Sequence, residues 1–436
     1  MNAAAENPVA QWMGEPPGDW ETIRLKNLFR IRKQIAGRLG FDVLAVTQRG
    51  VKLKDIGSGG GQLSMDYSKY QVVRVGDFVM NHMDLLTGYI DISKYPGVTS
   101  PDYRVFVPWD SSAICPRYFL HVFQLCYHGK VFFPLGQGSA QLGRWRLPRQ
   151  AFEDFPLPVP PLPTQRVIAN FLDRKTAAID ALIQKKERLI ELLAEKRQAL
   201  ITQAVTNGLD PNVPMKDSAV DWLGKVPKHW SVSRLKRLCS QVRDGTHTPP
   251  PRVDGTDYRL LSARNIQDDE FILRDDDRTM TEDAFAELER SYTVRPGDIA
   301  LAVVGATTGK SAIVGDVTHV SVQRSVAVLR PHSARTSASY MHYLLQSGGV
   351  QHEIAVVASK YAAQGGIYLE EVANLSTPLP PMNEQDAILT YLRKRLSPLG
   401  AALRKLRDSS ELLRDYRQAL ISAAVTGKFE VSEERT

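Results

Sequence analysis

The chain carries two copies of one plan, and nothing else in the sequence constrains its fold as much. QWMGEPPGDWETIRLKNLF (11–29) recurs as DWLGKVPKHWSVSRLKRLC (221–239). Trp12, Gly14 and Trp20 match Trp222, Gly224 and Trp230, and Arg24-Leu25-Lys26 matches Arg234-Leu235-Lys236. Further on, RVGD (74–77) recurs as RPGD (295–298), PPLPTQ (160–165) as PPMNEQ (380–385), and RQALITQAVT (197–206) as RQALISAAVT (417–426). Ordered matches whose offset drifts only from 210 to 221 mean a duplication with a few insertions. The stretches between them diverge, as 30–150 does from 240–370. Alike at the ends and different in the middle, the repeats read as one frame holding two different readers.

Each repeat splits into a mixed domain and a long helix. Residues 21–155 and 231–375 show short strand-like runs (YQVVRVGDFVM, DYRVFV, DIALAVV, SVAVLR) beside helical stretches such as PRYFLHVFQLCYH and TEDAFAELERSY. In the latter, Thr279 stands three residues before Glu282, a capping-box spacing. Proline clusters at 155–163 and 375–381 close each domain. From Thr164 to Thr206 no Pro or Gly interrupts the chain. Ile179, Leu182, Lys186, Leu189, Leu193 and Leu200 form a stripe there that Ile183 and Ile190 broaden, on a helix about 60 Å long. The second helix, about 384–426, carries Leu399, Leu403, Leu406, Leu413 and Leu420, with a kink or break expected at Pro398 and Gly400.

The expected fold is α+β: two mixed α/β domains separated by two long helices that form an antiparallel coiled coil with an internal pseudo-twofold. The alternative is two separate helices, each packed on its own domain. The divisions are an N-terminal segment (1–20) completing the second repeat, a first mixed domain (21–155), a first helix region (156–210), a linker (211–230), a second mixed domain (231–375) and a second helix region (376–436). The two ends of the chain are expected to lie near each other, as in a ring opened at one linker.

With 436 residues, 43% of them apolar and 24% charged, the chain has room for several packed cores. A net charge of +7 suits a nucleic-acid partner without requiring one. Cys115, Cys126 and Cys239 are too few and scattered for a disulfide framework or zinc ribbon, which points to a reducing cytoplasm. The N-terminus lacks the basic and apolar regions of a signal peptide, and IALAVV (299–304) is too short to cross a bilayer.

Several apparent catalytic motifs fail on spacing. GATTGKS (305–311) resembles a phosphate-binding loop, but the first glycine would have to be residue 304, which is Val304. Two readings remain: a turn presenting Lys310 and Ser311 to a phosphate backbone, or a purely structural turn. Cys115, His121, Cys126 and His128 do not converge when wound on a helix, so a packed helix is the better reading. GSGGG (57–61) could form an anion-binding nest, but it lacks dinucleotide-fingerprint spacing and a following helix, so a flexible turn is the default reading. The chain also has no nucleophile elbow, no N-P-P-[YF] tetrapeptide and no nuclease-like carboxylate set, so it is expected to catalyse nothing alone. The acidic run 268–277 should face away from DNA. Lys185, Lys186, Arg188, Arg404, Lys405 and Arg407 are either a solvated helix face or a surface for DNA or acidic partners.

In their order and duplication these motifs resemble the DNA-specificity subunits of type I restriction–modification systems. The resemblance rests on GEPPGDWETIRLKNLF and GKVPKHWSVSRLKRLC, DGTHTPP (244–250), RPGDIALAVVGATTGK, PLPPMNEQDAI, and RQALITQAVTNG with RQALISAAVTGK. It implies two target-recognition domains separated by helical repeats, without a catalytic site. It implies double-stranded DNA as a partner, with two methyltransferase subunits and restriction/translocase subunits, and no membrane. S-adenosylmethionine, ATP and Mg would be bound by those partners and no cofactor by this chain. The first repeat departs from the pattern, lacking both DGTHTPP and GATTGK.

Reading bases requires donors and acceptors on loops that reach a groove. In the first domain the candidates are Thr47, Gln48, Arg49, Asn81, His82, Gln137, Ser139 and Arg144. In the second they are Arg243, Thr246, His247, Arg264, Asn265, Lys310, Lys360, Tyr361 and Gln364. Since the domains differ, the target should be bipartite and asymmetric. Two other functions fit the composition: a coiled-coil interaction scaffold and a stand-alone DNA-binding regulator.

Overall fold

The computed structural model describes residues 12–55, 66–139, 144–267, 269–360 and 366–431. The chain divides into two compact units, one running to Glu187 and resuming at Asp408, the other Arg188–Arg407. Both long helices are cut by this division. Each unit therefore holds a mixed domain, the first half of the helix that follows it and the last half of the other long helix.

The duplicated motifs build the same contacts in each unit. In the first, strand Glu21–Arg24 pairs antiparallel with Pro156–Val159, and in the second, Ser231–Arg234 pairs with Ser376–Leu379. The next residue then donates the same bond: Leu25 N to Phe155 O and Leu235 N to Leu375 O, each 2.9 Å. RVGD and RPGD form matching turns, in which Asp77 accepts from Arg74 N (2.7 Å) and Asp298 from Arg295 N (2.8 Å). Gly76 and Gly297 stand at φ +90° and +85°, the left-handed region that favours glycine.

Each turn opens the central strand of a sheet. The first unit has a four-stranded sheet in the order Phe29–Ile31, Arg104–Pro108, Phe78–Met80, Ile90–Ile92. The second repeats that order with Cys239–Asp244, Val326–Pro331, Ile299–Ala302 and Ser311–Ile313, then adds Glu270–Phe271 and Ile266–Gln267. Helix Pro116–His128 belongs to the first core and helix Ala338–Gln346 to the second. From these helices Tyr118 and Tyr340, both fully buried, donate to the carbonyls of Val425 and Val205, each at 3.2 Å. Both acceptors lie in the last turn of the long helix from the other repeat.

The long helices are Leu162–Asn207 and Met382–Val425. Near their starts, Gln165 and Gln385 donate to Pro160 O and Pro380 O, which accounts for the matched PPLPTQ and PPMNEQ. The inward-facing positions of the first helix run through Leu172, Thr176, Ile179, Ile183, Lys186, Ile190, Leu193, Arg197 and Ile201. The expected stripe is corrected here: Leu182 and Leu189 are 44% and 49% exposed, and the Ile183–Ile190 line is the one turned inward. A 3–4 alternation over many turns picks one of two adjacent apolar rows, and the sequence offered both. In the second helix Leu399, Leu403, Leu406, Leu413 and Leu420 are buried or half-buried as expected.

The expected break at Pro398 does not occur, because Met382–Val425 is one helix. Pro398 and Lys394 are both exposed, and the proline, having no N–H, leaves the Lys394 carbonyl without its helical donor. A second correction concerns Glu282–Ser291. Its N-cap is Thr281, which accepts from Ala284 N, whereas Thr279 lies in a strand and donates to Val253 O.

Residues 12–20, part of the segment expected to complete the second repeat, pack in the first unit. Trp12 stacks on Phe155 at 6.0 Å, and Gly427, at φ +70°, lies under Pro17 and Trp20. In the second unit Gly208, at φ +76°, lies under Trp230 in the same way. Glycine suits both places, just past a helix end and against a ring.

Candidate nucleic-acid interface

In the first unit the candidates fall on two features. A two-residue hairpin joins Leu44–Thr47 to Gly50–Leu53 and exposes Gln48 and Arg49 at its tip. Thr47 braces it, donating to Gly50 O (2.9 Å) and accepting from Arg49 N (3.1 Å). Asp91 holds the hairpin to the main sheet by accepting from Val51 N (2.9 Å).

The second feature is a loop stitched to a strand pair. Leu147 N donates to His82 O and Leu85 N to Trp145 O, both 2.9 Å, so residues 81–85 run beside Arg144–Arg146. That strand pairs with Gln137–Ser139, placing Gln137 opposite Arg146. Asn81, His82 and Gln137 are thereby gathered with Arg146, which sequence reasoning missed. Ser139 and Arg144 lie on the paired strands, but their side chains are outside the described residues. Asn81 is partly committed, its side-chain oxygen accepting from Met83 N (3.2 Å). Burial lowers the His82 imidazole to about 3, helped by the positive charges of Arg104, Arg146 and Lys33, and its Nδ1 has no hydrogen-bond partner. His82 is therefore neutral at pH 7.

In the second unit DGTHTPP leaves the end of strand Cys239–Asp244. Gly245 passes so close to the next chain that a Cβ would collide with Val322 O and the Gln323 backbone. Thr246 N donates to Val322 O (2.9 Å), and Arg324 N donates to Thr246 O (3.0 Å). His247 Nε2 lies 2.7 Å from Asp244. Asp244, His247 and Arg324 share a cleft of about 450 Å³ with the apolar Val303, Val304, Ile367 and Leu369. Arg324 is exposed and has no side-chain hydrogen bond or ion pair with any described residue. Its only trace in the sequence is its place between two strand-like runs. Arg243 is exposed on the strand leading to this cleft.

GATTGKS forms a hairpin turn between Ile299–Ala302 and Ser311–Ile313, with Gly309 N donating to Ala302 O and Ala302 N to Lys310 O, both 2.8 Å. A phosphate-binding loop opens a helix, and here Lys310 opens a strand. Gln351 clamps the turn by donating to Gly309 O (2.8 Å), leaving Lys310 exposed. Lys360 is exposed at the end of helix Gly348–Lys360. Tyr361 and Gln364, like GSGGG, lie outside the described residues.

One candidate is corrected, and its neighbour is engaged in ion pairs though exposed. Asn265 is fully buried, donating to Asp277 (2.9 Å) and Ile272 O (2.9 Å) and accepting from Ser262 N (3.0 Å), so it caps a turn and reaches no groove. Arg264 is committed to the same acidic corner through Asp276 (2.9 Å) and Asp277 (3.2 Å). Asp276 and Asp277, at the end of the acidic run, are thus held by nearby arginines. Among the suspected metal ligands, His121 pairs with Asp173 (2.8 Å) and Cys126 is fully buried. Among the described residues no cluster of three such side chains could hold a metal, and no helix is long and apolar enough to cross a membrane.

A repeated frame bearing two divergent sets of exposed polar loops is what the two units have in common. Residues 17–192 match the family model of the type I restriction modification DNA specificity domain. The match falls on the repeat that lacks DGTHTPP and GATTGK, so the frame rather than those motifs carries it. The chain is 27% identical over 290 residues to the Escherichia coli EcoBI specificity subunit, covering 65% of this chain and 60% of the relative. It is 20% identical to the putative MjaX specificity subunit of Methanocaldococcus jannaschii, covering 98% and 97%. A solved chain from work on complex assembly and conformational transition of the type I R-M system shares the fold, with a TM-score of 0.66, 15% identity and coverage of 95% and 100%. By sequence the chain is thus similar to specificity subunits of type I restriction enzymes, and in fold to a chain of the type I R-M system.

Proposed function

We propose that this chain is the DNA-sequence specificity subunit of a type I restriction–modification complex, with 21–155 and 231–375 as its target-recognition domains. The observation that carries the reading is the repeated frame: the same strand pair, turn and tyrosine-to-helix bond surround loops that differ completely between the units. Equal frames with unequal loops suit a bipartite, asymmetric target. The regions 156–210 and 376–436 act as the helical spacer, 211–230 as the linker, and 1–20 as the piece that completes the second repeat.

In this reading the two long helices form an antiparallel coiled coil about a pseudo-twofold. Support comes from the ion pairs Arg417–Asp180 (2.8 Å) and Arg414–Glu187 (2.6 Å), whose partners run in opposite directions along the two helices. The chain performs no chemistry. Two methyltransferase subunits supply S-adenosylmethionine-dependent methylation, restriction/translocase subunits supply ATP- and Mg-dependent cleavage, and the complex works on DNA in the cytoplasm.

Methylome sequencing of cells carrying the chain with its adjacent methyltransferase, against a deletion of the chain, tests the reading. Loss of one bipartite adenine-methylation motif is the expected result. An unchanged methylome with the chain folded and expressed overturns it in favour of a scaffold or regulator.

A further inference from the structure

A buried polar relay in the second unit links the first long helix to the GATTGKS turn. Arg197, in the last quarter of Leu162–Asn207, donates to Gln346 Oε1 (3.0 Å) and pairs with Asp269 (2.6 Å). Gln346 Nε2 lies 2.8 Å from His342 Nε2, and His342 Nδ1 lies 3.2 Å from Ser311 Oγ. Gln346, His342 and Ser311 are all buried.

The chemistry of these groups gives the relay a direction. A guanidinium only donates, so Gln346 must turn its oxygen toward Arg197 and its NH2 toward His342. His342 Nε2 must then accept, which leaves the ring neutral with its proton on Nδ1. That proton is donated to Ser311 Oγ, the residue directly after Lys310. Burial supports the neutral form, holding the imidazole down to about 4 against the opposing pull of Asp269 and with the help of Arg197.

Among the described residues the first unit has no such relay. Counting from the equivalent Tyr118 and Tyr340, Leu120 replaces His342, and Gln124 donates to Ile90 O (3.3 Å). Arg417, the counterpart of Arg197, pairs with Asp180 instead. Two neighbouring bonds reinforce the link in the second unit: Gln198 donates to Gln346 O, and Thr202 Oγ1 accepts from Gly348 N (2.8 Å).

We propose that Arg197 is a positioning residue for the second reader: through Gln346 and His342 it fixes the hydrogen bond that seats Ser311, and so the aim of the Lys310 turn. This rests on the reading of the second mixed domain as a DNA reader. A disturbance of the helix around Arg197 therefore changes recognition in one half of the target and not in the other.

Two measurements on the full chain test it. With nine histidines, 15N labelling of the imidazoles resolves the ring states, and His342→Gln assigns its signal. The expected state of His342 is neutral and Nδ1-protonated, shifting in Arg197→Ala. An Nε2-protonated or charged ring at pH 7, or a ring unaffected by Arg197→Ala, overturns the relay whatever the chain does to DNA.

The second measurement is the methylome of cells carrying each variant with the adjacent methyltransferase. Arg197→Ala and the size-matched Gln346→Met are expected to lower discrimination about tenfold at one or more bases of a single half-site. The other half-site should be unchanged, and Arg197→Lys should retain most of the selectivity. A uniform fall in methylation at unchanged base preference, in variants that melt as the parent does, would reduce Arg197 to a structural role and overturn the proposal. Absence of any bipartite motif in the parent would count against the specificity reading, with the ring measurement still deciding the relay.

Discussion

The two units build the same sheet and helix around different fillings. In the first, Phe29, Phe78, Phe106, Phe119 and Phe123 interlock, with Phe78 and Phe106 stacked at 5.1 Å and the others edge-on or tilted. Strand register and the Tyr118–Tyr340 equivalence place Cys239, Ile299, Leu329, Met341 and Leu345 at those positions in the second. Five aromatic rings have been exchanged for four aliphatic or thioether side chains and a thiol, and the strand order is unchanged. The shared elements are polar: a strand pair, an aspartate turn, a glutamine on a proline carbonyl, and a tyrosine on a helix carbonyl. Volume can be redistributed across a core, whereas a buried donor needs its acceptor in one place.

The largest expected difference comes from truncating the two cores at one position. Phe106→Ala should cost about 3–5 kcal/mol and Leu329→Ala about 2–4, because the ring leaves the larger cavity. Chemical denaturation read separately for each unit would show it, and equal losses would break the comparison. Gly245→Ala should destabilise only the second unit, by more than about 2 kcal/mol, since the obstructing atoms are backbone. Gly315→Ala, with open space around it, is the control.

Next in size is a dependence on pH. Unfolded histidine takes a proton near 6.5, which folded His342 refuses until about 4 and folded His82 until about 3. The unfolded chain then binds more protons, so stability is full above pH 6.5 and falls as the pH drops toward those values. About 2 kcal/mol per histidine is expected by pH 4.5. Stability profiles of His342→Gln and His82→Gln would apportion the loss between units, and a flat parent profile from pH 7 to 4.5 would contradict it. The smallest effect should be the most equal. Tyr118→Phe and Tyr340→Phe should each cost about 1 kcal/mol, and a marked inequality would mean that the frame is not energetically duplicated.

Much of the frame was legible in the sequence because duplication exposes what both copies need. Pro116–His128 and the long helices begin and end within a few residues of where prolines, glycines and periodicity put them. Features that depend on tertiary neighbours were less legible. Thr279 and Thr281 both precede the helix, and only the pairing of Thr279 in a strand decides between them. Pro398 does not end the helix, and it stands on an exposed face with Lys394, a fact of burial that composition does not carry. Among the candidate readers, turn residues such as Gln48, Arg49, His247 and Lys310 are exposed as loop chemistry suggests. Asn265 was misjudged because a polar residue beside an acidic run looks the same whether it faces solvent or caps a turn. Arg324 and Arg146 reach their patches only through strand pairing far from their own neighbours in sequence.

The bonds from Tyr118 to Val425 and from Tyr340 to Val205 also bear on inheritance. Each tyrosine needs a carbonyl encoded in the opposite half of the gene, so a gene cut between its repeats would give two products, each holding the acceptor that the other's tyrosine needs. Exchange of a divergent middle alone leaves every one of those acceptors in place. Recombination within a divergent middle can therefore replace one set of loops in a single step while the frame is kept.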